Sequence, residues 1–225
     1  MKTIVTALAL LCQVLSVFSQ VERLNKTSIF DTDNTIQTII PTDSGYIIGG
    51  VLRNTVALID SSATVICSKS YPFSLPSWVG SESPNALKST STNHFVSCGT
   101  IQNGTTTINK IYLNKYNSVF DTIYQKVLMT DTLCHGCLQL WNCFENSNRD
   151  YVLFGSDSKD SIGIYFNNNY TNGLILITDS FGNIRNHKTI GGIRFDNFYY
   201  GLELANNYFF FGVTTSYASS SISGF

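Results

Sequence analysis

Four short apolar runs that each end in glycine recur along the chain, and this recurrence limits the fold more than any other feature of the sequence. The glycines are Gly49, Gly99, Gly155 and Gly212, at spacings of 50, 56 and 57 residues. A polar turn with Asn or Asp precedes each run, and a second pair of strand-like runs follows three of them. The recurrence predicts units of four antiparallel strands about 55 residues long, which bury their faces by stacking on one another.

The rest of the sequence is also typical of strands and turns. Runs rich in Val, Ile, Tyr, Phe and Thr alternate with Gly, Asn, Asp and Ser, and apolar residues do not recur three and four apart over any helical length. The predicted strands cover residues 35–40, 46–49, 55–59, 64–68, 94–98, 107–112, 118–127, 151–154, 174–178 and 208–213. We therefore expect an all-β fold of repeated four-stranded antiparallel units, forming a partial or incomplete β-propeller, with a Greek-key β-sandwich as the alternative.

Two segments resemble the repeats of a known family. Residues 43–50 read D-S-G-Y-I-I-G-G, and residues 174–192 read L-I-L-I-T-D-S-F-G-N-I-R-N-H-K-T-I-G-G. These segments resemble the D-G-G-Y-I-I-x-G and T-D-x-x-G-N-x-x-W-x-K-x-x-G-G units of secreted, often microbial, repeat proteins that are taken to form β-propellers. Asn186 stands where that family prefers Trp, and residues 95–128 keep only the outline of the unit. The resemblance implies a scaffold with no catalytic residues.

The N-terminus predicts entry into the secretory pathway. Lys2 precedes a short apolar run, and Val17-Phe18-Ser19 forms a small-residue cleavage site, so residues 1–19 read as a signal peptide. The run is shorter than the roughly 20 apolar residues that span a bilayer, and no other stretch reaches that length, so no transmembrane segment is expected after cleavage. Residues 20–225 then form one β-repeat domain.

The length of this domain conflicts with a closed ring. Cleavage after the first 19 of 225 residues leaves 206, which is enough for about three and a half units. Propellers have about 4–8 blades. We therefore expect a truncated chain, an open arc with exposed sheet edges, or a propeller that another chain completes.

Charge and sequons limit the kinds of partner. The chain has 14 basic and 15 acidic residues, and only 13% of its residues are charged, so it lacks the basic surface that neutralises nucleic-acid phosphates. Three sequons predict glycosylation sites at Asn25, Asn103 and Asn169.

The cysteines predict disulfide bonds instead of a metal site. Five remain after cleavage of the signal peptide: Cys67, Cys98, Cys134, Cys137 and Cys143. The cluster 134–143 has no second ligand pair for zinc, no His after the second cysteine for covalent haem, and no βαβ setting for a redox motif. In an oxidising compartment we expect a bridge from Cys134 or Cys137 to Cys143, and a second from Cys67 to Cys98.

No pattern of catalytic residues emerges. His94, His135 and His187 lie outside any metalloprotease motif, and no G-x-S-x-G elbow occurs. The close carboxylate pairs are Asp31/Asp33 and Asp157/Asp160, and the first departs from a calcium loop at its sixth and twelfth positions. No catalytic, cofactor-binding or metal-binding residue is therefore predicted.

A dense set of aromatic residues near the C-terminus has two interpretations. The set comprises Phe195, Phe198, Tyr199, Tyr200, Tyr208, Phe209, Phe210 and Phe211. Burial between sheets is favoured, and exposed stacking on a sugar or a partner is the alternative.

Three hypotheses for function follow from the sequence. The first is a secreted, non-enzymatic β-repeat module whose loops bind a protein or a glycan. The second is a secreted, glycan-directed hydrolase with a carboxylate site on a propeller face. The third is a structural fragment without a site of its own.

Overall fold

The structure is a computed structural model, and it describes residues 36–50, 55–62, 64–70, 83–102, 109–128, 138–158, 171–192 and 194–216. Several predicted features lie outside these residues: the signal peptide, the sequons at Asn25, Asn103 and Asn169, and the cysteines Cys134 and Cys137.

Fourteen β-strands, and no helix, make up the regular structure of the described residues. In chain order they are β1 (Ile36–Thr42), β2 (Gly45–Gly50), β3 (Thr55–Asp60), β4 (Val65–Ser70), β5 (Ser83–Ser89), β6 (Phe95–Gln102), β7 (Asn109–Tyr116), β8 (Thr122–Leu128), β9 (Leu138–Glu145), β10 (Tyr151–Ser158), β11 (Thr171–Thr178), β12 (Ile184–Ile190), β13 (Asp196–Leu204) and β14 (Asn207–Thr214). The prediction of an all-β chain is confirmed.

The strands form sheets that repeat in chain order. Within the described parts of the chain, the first sheet is β1–β4, the second β5–β8 and the third β9–β12, each a simple antiparallel meander, while the fourth is the hairpin β13–β14 alone. The predicted four-stranded antiparallel units are therefore confirmed, and they do not form a sandwich.

A β-bulge in the first strand of every sheet accounts for the glycines that end the second strands of the third and fourth sheets, Gly155 and Gly212. The residues without a direct partner are Gln37, Asn85, Trp141 and Tyr199, and each lies opposite the glycine-bearing end of the second strand. A bulge bends its strand and brings backbone close to the partner. A Cβ on Gly155 would lie closer than 3.0 Å to the carbonyl oxygen of Gln139, and a Cβ on Gly212 would meet that of Asn197 in the same way.

A single turn design closes five of the hairpins, at residues 60–64, 90–94, 117–121, 146–150 and 179–183. In each, the first N–H donates to the fifth carbonyl at 2.8–3.0 Å. Where the first residue is Asp or Asn, its Oδ1 also accepts the third and fifth N–H groups, as Asn146 does from Asn148 at 3.0 Å and Asp150 at 2.8 Å. The fourth residue has a positive φ wherever it is described, which is the three-residue hairpin loop with a bulge.

The sheets stack as blades do in an incomplete propeller. The first strand of each sheet packs against the first and second strands of the sheet before it. One apolar cluster, which includes Val96, Leu113, Leu140 and Leu153, joins the second and third sheets. A second cluster, which includes Ile47, Leu87 and Phe120, joins the first and second.

The described cysteines do not form the predicted bridge. Cys67, Cys98 and Cys143 are all free thiols, so the Cys67–Cys98 pair is not formed. Cys67 lies on the outermost strand of the first sheet, half-buried in the cluster between the first and second sheets. Cys98 lies in the other cluster, between the second and third sheets, where its neighbour is Cys143. The predicted partners of Cys143 are outside the described residues.

Candidate functional site

The fourth sheet packs against the third through one aromatic face. Phe210 contacts Phe154 and Phe198, with ring centroids 5.5 and 5.3 Å apart. Tyr208 contacts Phe144 at 6.0 Å, and its hydroxyl accepts a hydrogen bond from Asn146 Nδ2 at 2.8 Å. These side chains fix the hairpin β13–β14 on the third sheet and account for three of the eight residues of the aromatic set seen in the sequence.

The opposite face of the same hairpin is apolar and open. Because side chains alternate along a strand, the neighbours of the buried rings on β14 point away from the third sheet. Phe209, Phe211 and Val213 are 45–55% exposed, and Tyr200 of β13 is 53% exposed. The rings of Tyr200 and Phe211 lie 6.2 Å apart. We call Tyr200, Phe209, Phe211 and Val213 the outer aromatic face.

The hairpin also leaves one edge unpaired. Second strands β2, β6 and β10 each pair with a third strand, whereas β14 pairs only with β13 among the described residues. An unpaired edge presents backbone N–H and C=O groups that pair readily with another strand. The outer aromatic face and this edge adjoin each other, since both belong to β14.

Bulge residues place two further aromatic side chains on the inner strands. Trp141 of β9 and Tyr199 of β13 occupy equivalent bulge positions in neighbouring sheets. Their rings are 5.4 Å apart and inclined at 57°, and Tyr199 is 42% exposed. A bulge re-aims the side chain that it carries. Equivalent bulges thus bring two distant aromatic residues together.

Two glutamates link each turn to the next sheet. Glu145 of β9 accepts the backbone N–H of Ser91 at 2.5 Å, and Glu203 of β13 accepts that of Ser147 at 2.6 Å and its hydroxyl at 2.9 Å. Ser91 and Ser147 are the second residues of equivalent turns. Both carboxylates line a cleft of about 370 Å³ between β9 and β13, together with Lys88. The carboxylates therefore already serve as acceptors that hold neighbouring sheets in register.

Two lysines link the outer halves of the sheets in a similar way. Lys69 of β4 pairs with Asp121, and its hydrogen bond lowers the pKa of that carboxyl, with a further contribution from Asn117. Lys126 of β8 donates to Asn183 Oδ1 at 2.7 Å. Each lysine follows the last residue of its own turn by five positions and reaches the outer turn of the next sheet.

The outermost strand of the third sheet lacks the apolar side chain that accompanies the lysine in the second sheet. Lys188 of β12 is the equivalent lysine and is exposed, as are its neighbours Asn186 and His187. Two residues before the lysine, β8 has Tyr124, which packs on the third sheet, whereas β12 has Asn186. At these two positions β12 presents polar side chains, and Ile190, 40% exposed, is its one exposed large apolar residue.

The predicted titratable candidates do not converge. Among the described residues, no group of three or more His, Cys, Asp or Glu side chains is arranged to hold a metal ion. His94 closes a turn, where its Nδ1 lies 3.1 Å from Thr92 Oγ1. Asp157 lies on β10, and its predicted companion Asp160 is outside the described residues, as are Asp31, Asp33 and His135. No helix in the described ranges has the length and apolar character needed to cross a bilayer.

Comparisons with known proteins add little to this description. No protein-family model matches the chain, and no curated protein matches it. Among solved structures it is similar to a crystal structure of a eukaryotic initiation factor, with a TM-score of 0.41 and 11% identity over 72% of this chain and 34% of that one. The chain spans about a third of that protein, and a similarity this weak carries no argument.

Sequence reasoning identified the aromatic residues but not their division between two faces. Burial was the favoured interpretation, and it holds for Phe198, Tyr208 and Phe210, which pack inward. It fails for Tyr199, Tyr200, Phe209 and Phe211, which are 42–55% exposed. Alternation along residues 207–214 would have separated the two groups, although it does not say which face is covered.

Proposed function

We propose that this chain is a secreted, non-enzymatic β-repeat module that binds a protein partner through β14. The partner contributes an extended strand that pairs with the free edge of β14, and its apolar side chains cover the outer aromatic face. Strand addition of this kind obtains affinity from backbone hydrogen bonds and specificity from alternate side chains.

The observation that carries the proposal is a contrast between two uncovered surfaces. Among the described residues, two surfaces are uncovered. No third or fourth strand of the fourth sheet lies beside β12, and neither a further strand nor a further sheet covers the hairpin β13–β14. On β12 the residues at these positions are polar, as with Asn186 and Lys188, so that surface is suited to water. On β14 they are Phe209, Phe211 and Val213, all about half-exposed. Only the second surface gains from a partner, by roughly 1 kcal/mol for each ring or branched side chain that is covered.

The free edge favours a polypeptide over a glycan. Aromatic side chains alone would suit either a sugar ring or an apolar side chain. The unpaired backbone groups of β14 are specific to a strand, because their spacing matches that of another extended chain. In the other three sheets the equivalent edge is occupied by β3, β7 and β11.

A peptide with the sequence of β7, residues 109–116, is a direct probe of this edge. It pairs with a second strand in the native fold, and its two lysines keep it soluble. We expect saturable binding of the labelled peptide to the full chain by fluorescence anisotropy. Phe211→Lys should weaken this binding at least tenfold, because a charge is placed on the apolar face. Phe181→Lys is the matched control, since Phe181 is 71% exposed in a distant turn, and it should leave binding unchanged.

Three results would bear on the proposal in different ways. A concentration-dependent dimer in light scattering that Phe211→Lys abolishes would support it and identify a second copy as the source of the strand. Equal losses in both variants would contradict it. Binding to oligosaccharides with no binding to the peptide or to a second copy would reject the protein partner in favour of a glycan.

One observation favours the hydrolase as the second candidate. Glu145 and Glu203 share the cleft between β9 and β13, and glycosidases act through a pair of carboxylates. Both carboxylates accept turn N–H groups, which suits a structural role. Glu203→Gln keeps an acceptor for Ser147 but removes the charge, so retention of the fold with loss of hydrolysis of a chromogenic glycoside would establish the enzyme.

A further inference from the structure

Cys98 and Cys143 bring two thiols together across the boundary between the second and third sheets. Cys98 is fully buried on β6 and Cys143 is 1% exposed on β9, and both belong to one apolar cluster. Cys143 is also one of the groups that raise the pKa of the Cys98 thiol, which is consistent with the two side chains being neighbours in this cluster. In sequence they are 45 residues apart, and the sequence assigns them to two different predicted bridges.

The backbones of β6 and β9 approach closely at this point. Leu140 of β9 donates its backbone N–H to Thr100 Oγ1 of β6 at 3.0 Å. Thr100 is two residues from Cys98, and Leu140 is three residues from Cys143. Trp141, between Leu140 and Cys143, is a bulge residue without a direct partner. Cys143 is therefore the same number of paired positions from Leu140 as Cys98 is from Thr100. A disulfide requires Cα atoms about 4.4–6.8 Å apart and directed Cβ atoms. The hydrogen bond from Leu140 to Thr100 and the shared apolar cluster place Cys98 and Cys143 on the facing surfaces of the second and third sheets, as a bridge between these sheets requires.

We propose that Cys98 and Cys143 form a disulfide that joins the second and third sheets when the chain folds in the presence of an oxidant of the disulfide class, such as glutathione disulfide. The two S–H bonds break and one Sγ–Sγ bond forms. The two electrons and two protons pass to the oxidant, whose own S–S bond breaks to give two thiols. The proposal is independent of any ligand of β14.

Burial decides when this bond forms and how it resists reduction. Desolvation raises the pKa of the Cys98 thiol, and its neighbour Cys143 raises it further. The thiolate is the form that attacks a disulfide, so exchange is slow once the sheets have packed. The bond therefore forms before the second and third sheets close, and a reductant reaches it only after unfolding.

Peptide mapping of the full chain, refolded in a glutathione redox buffer and digested without reduction, is the direct test. We expect one linked peptide that contains Cys98 and Cys143 and is lighter than its two reduced parts by two hydrogen atoms. Dithiothreitol should leave this link intact in native buffer and cleave it in urea. A link from Cys143 to Cys134 or Cys137 would overturn the proposal, and so would alkylation of Cys98 after refolding and unfolding without reductant.

Thermal unfolding of single variants gives a second, independent measurement. Cys98→Ser and Cys143→Ser should each lower the Tm of the oxidised chain by roughly 5–15 °C, because the link closes a long loop of the unfolded chain. Most of this difference from the wild type should vanish when all the proteins are first unfolded and then refolded in the presence of reductant. Cys67→Ser, at a half-buried thiol outside the pair, is the matched control and should show only a small loss in both conditions. Equal losses in all three variants would contradict the bond.

Discussion

Replacing Gly155 by alanine tests whether the bulge is the reason for the recurring glycine. The added Cβ would lie closer than 3.0 Å to Gln139 O, and 2.9 Å from both the carbonyl carbon of Gln139 and the Cα of Leu140. These neighbours are backbone atoms of β9, so no side chain can rotate to relieve the contact. The whole inner strand has to move, or the pairing of β9 with β10 has to open at the bulge.

The size of the effect follows from two opposing contributions. Alanine is favoured over glycine in a strand by roughly 0.5–1 kcal/mol, so without a clash the substitution would stabilise the chain. Forcing extra atoms into a well-packed interior costs about 1–3 kcal/mol, and more when the backbone must shift. We expect a net loss of about 2–4 kcal/mol in the free energy of unfolding. For a chain of this size, that loss lowers the Tm by roughly 5–15 °C.

Gly49 provides the control, since it is also a glycine of a second strand but pairs with Thr38 just before the bulge of the first sheet, whereas Gly155 pairs with Leu140 just beyond the bulge of the third. A Cβ there would meet Leu87 Cβ at 3.4 Å and Thr38 Cβ at 3.7 Å, both ordinary contacts with side chains. Urea unfolding followed by far-UV circular dichroism should place Gly49→Ala within about 1 kcal/mol of the wild type. The reasoning fails if Gly155→Ala is as stable as the wild type, or if the two variants lose equal stability.

Three further changes test the turns and the links between sheets. Asn146→Ala removes the acceptor of two turn N–H groups and the donor to Tyr208, and should cost roughly 2–3 kcal/mol in urea unfolding, whereas Asn146→Asp should keep most of the turn. Desolvation raises the pKa of Asp179, but hydrogen bonds from Asn183 and Phe181 outweigh it, so the pKa is lowered. The ionised Asp179 therefore stabilises the fold above the unfolded pKa of 3.8, and this stabilisation is lost as the pH falls below that value. Asp179→Asn should accordingly reduce the change in the urea midpoint between pH 5 and pH 2.5. Glu203→Ala should lower the Tm more than Glu203→Gln, since only glutamine still accepts the Ser147 N–H, and equal Tm values would refute that link.

Much of the fold could be predicted because its repeat depends on residues that are close together in the sequence. The glycine-ending second strands and the Asx turns depend on contacts within about ten residues, and both recur at visible spacings. The first strands β5, β9 and β13 were not predicted, and in each a bulge shifts the side chains by one position and breaks the period of two, whereas β1 was predicted because its bulge at Gln37 leaves five regular residues after it. Segment 118–127 was predicted as one strand, yet residues 117–121 form a turn in which Phe120 takes a positive φ that phenylalanine rarely adopts.

Contacts between sheets were the part that no local pattern could reveal. Cys98 and Cys143 meet only because the first strand of one sheet packs on the second strand of the previous one, and their spacing in the sequence carries no sign of it. The same holds for Trp141 and Tyr199, which are 58 residues apart and adjacent in space. A repeat indicates which positions are equivalent, whereas the stacking geometry decides which equivalent positions touch.

Asn186 illustrates how an exception to a repeat can carry more information than the repeat itself. At the equivalent positions of the first two sheets, Cys67 and Tyr124 pack against apolar clusters. A polar residue at this position is compatible with folding only if no apolar surface of a next sheet is placed against it. The polar residue at this position therefore suits a surface in contact with water. Among the described residues β14 pairs only with β13, and its exposed phenylalanines are the place to look for a partner.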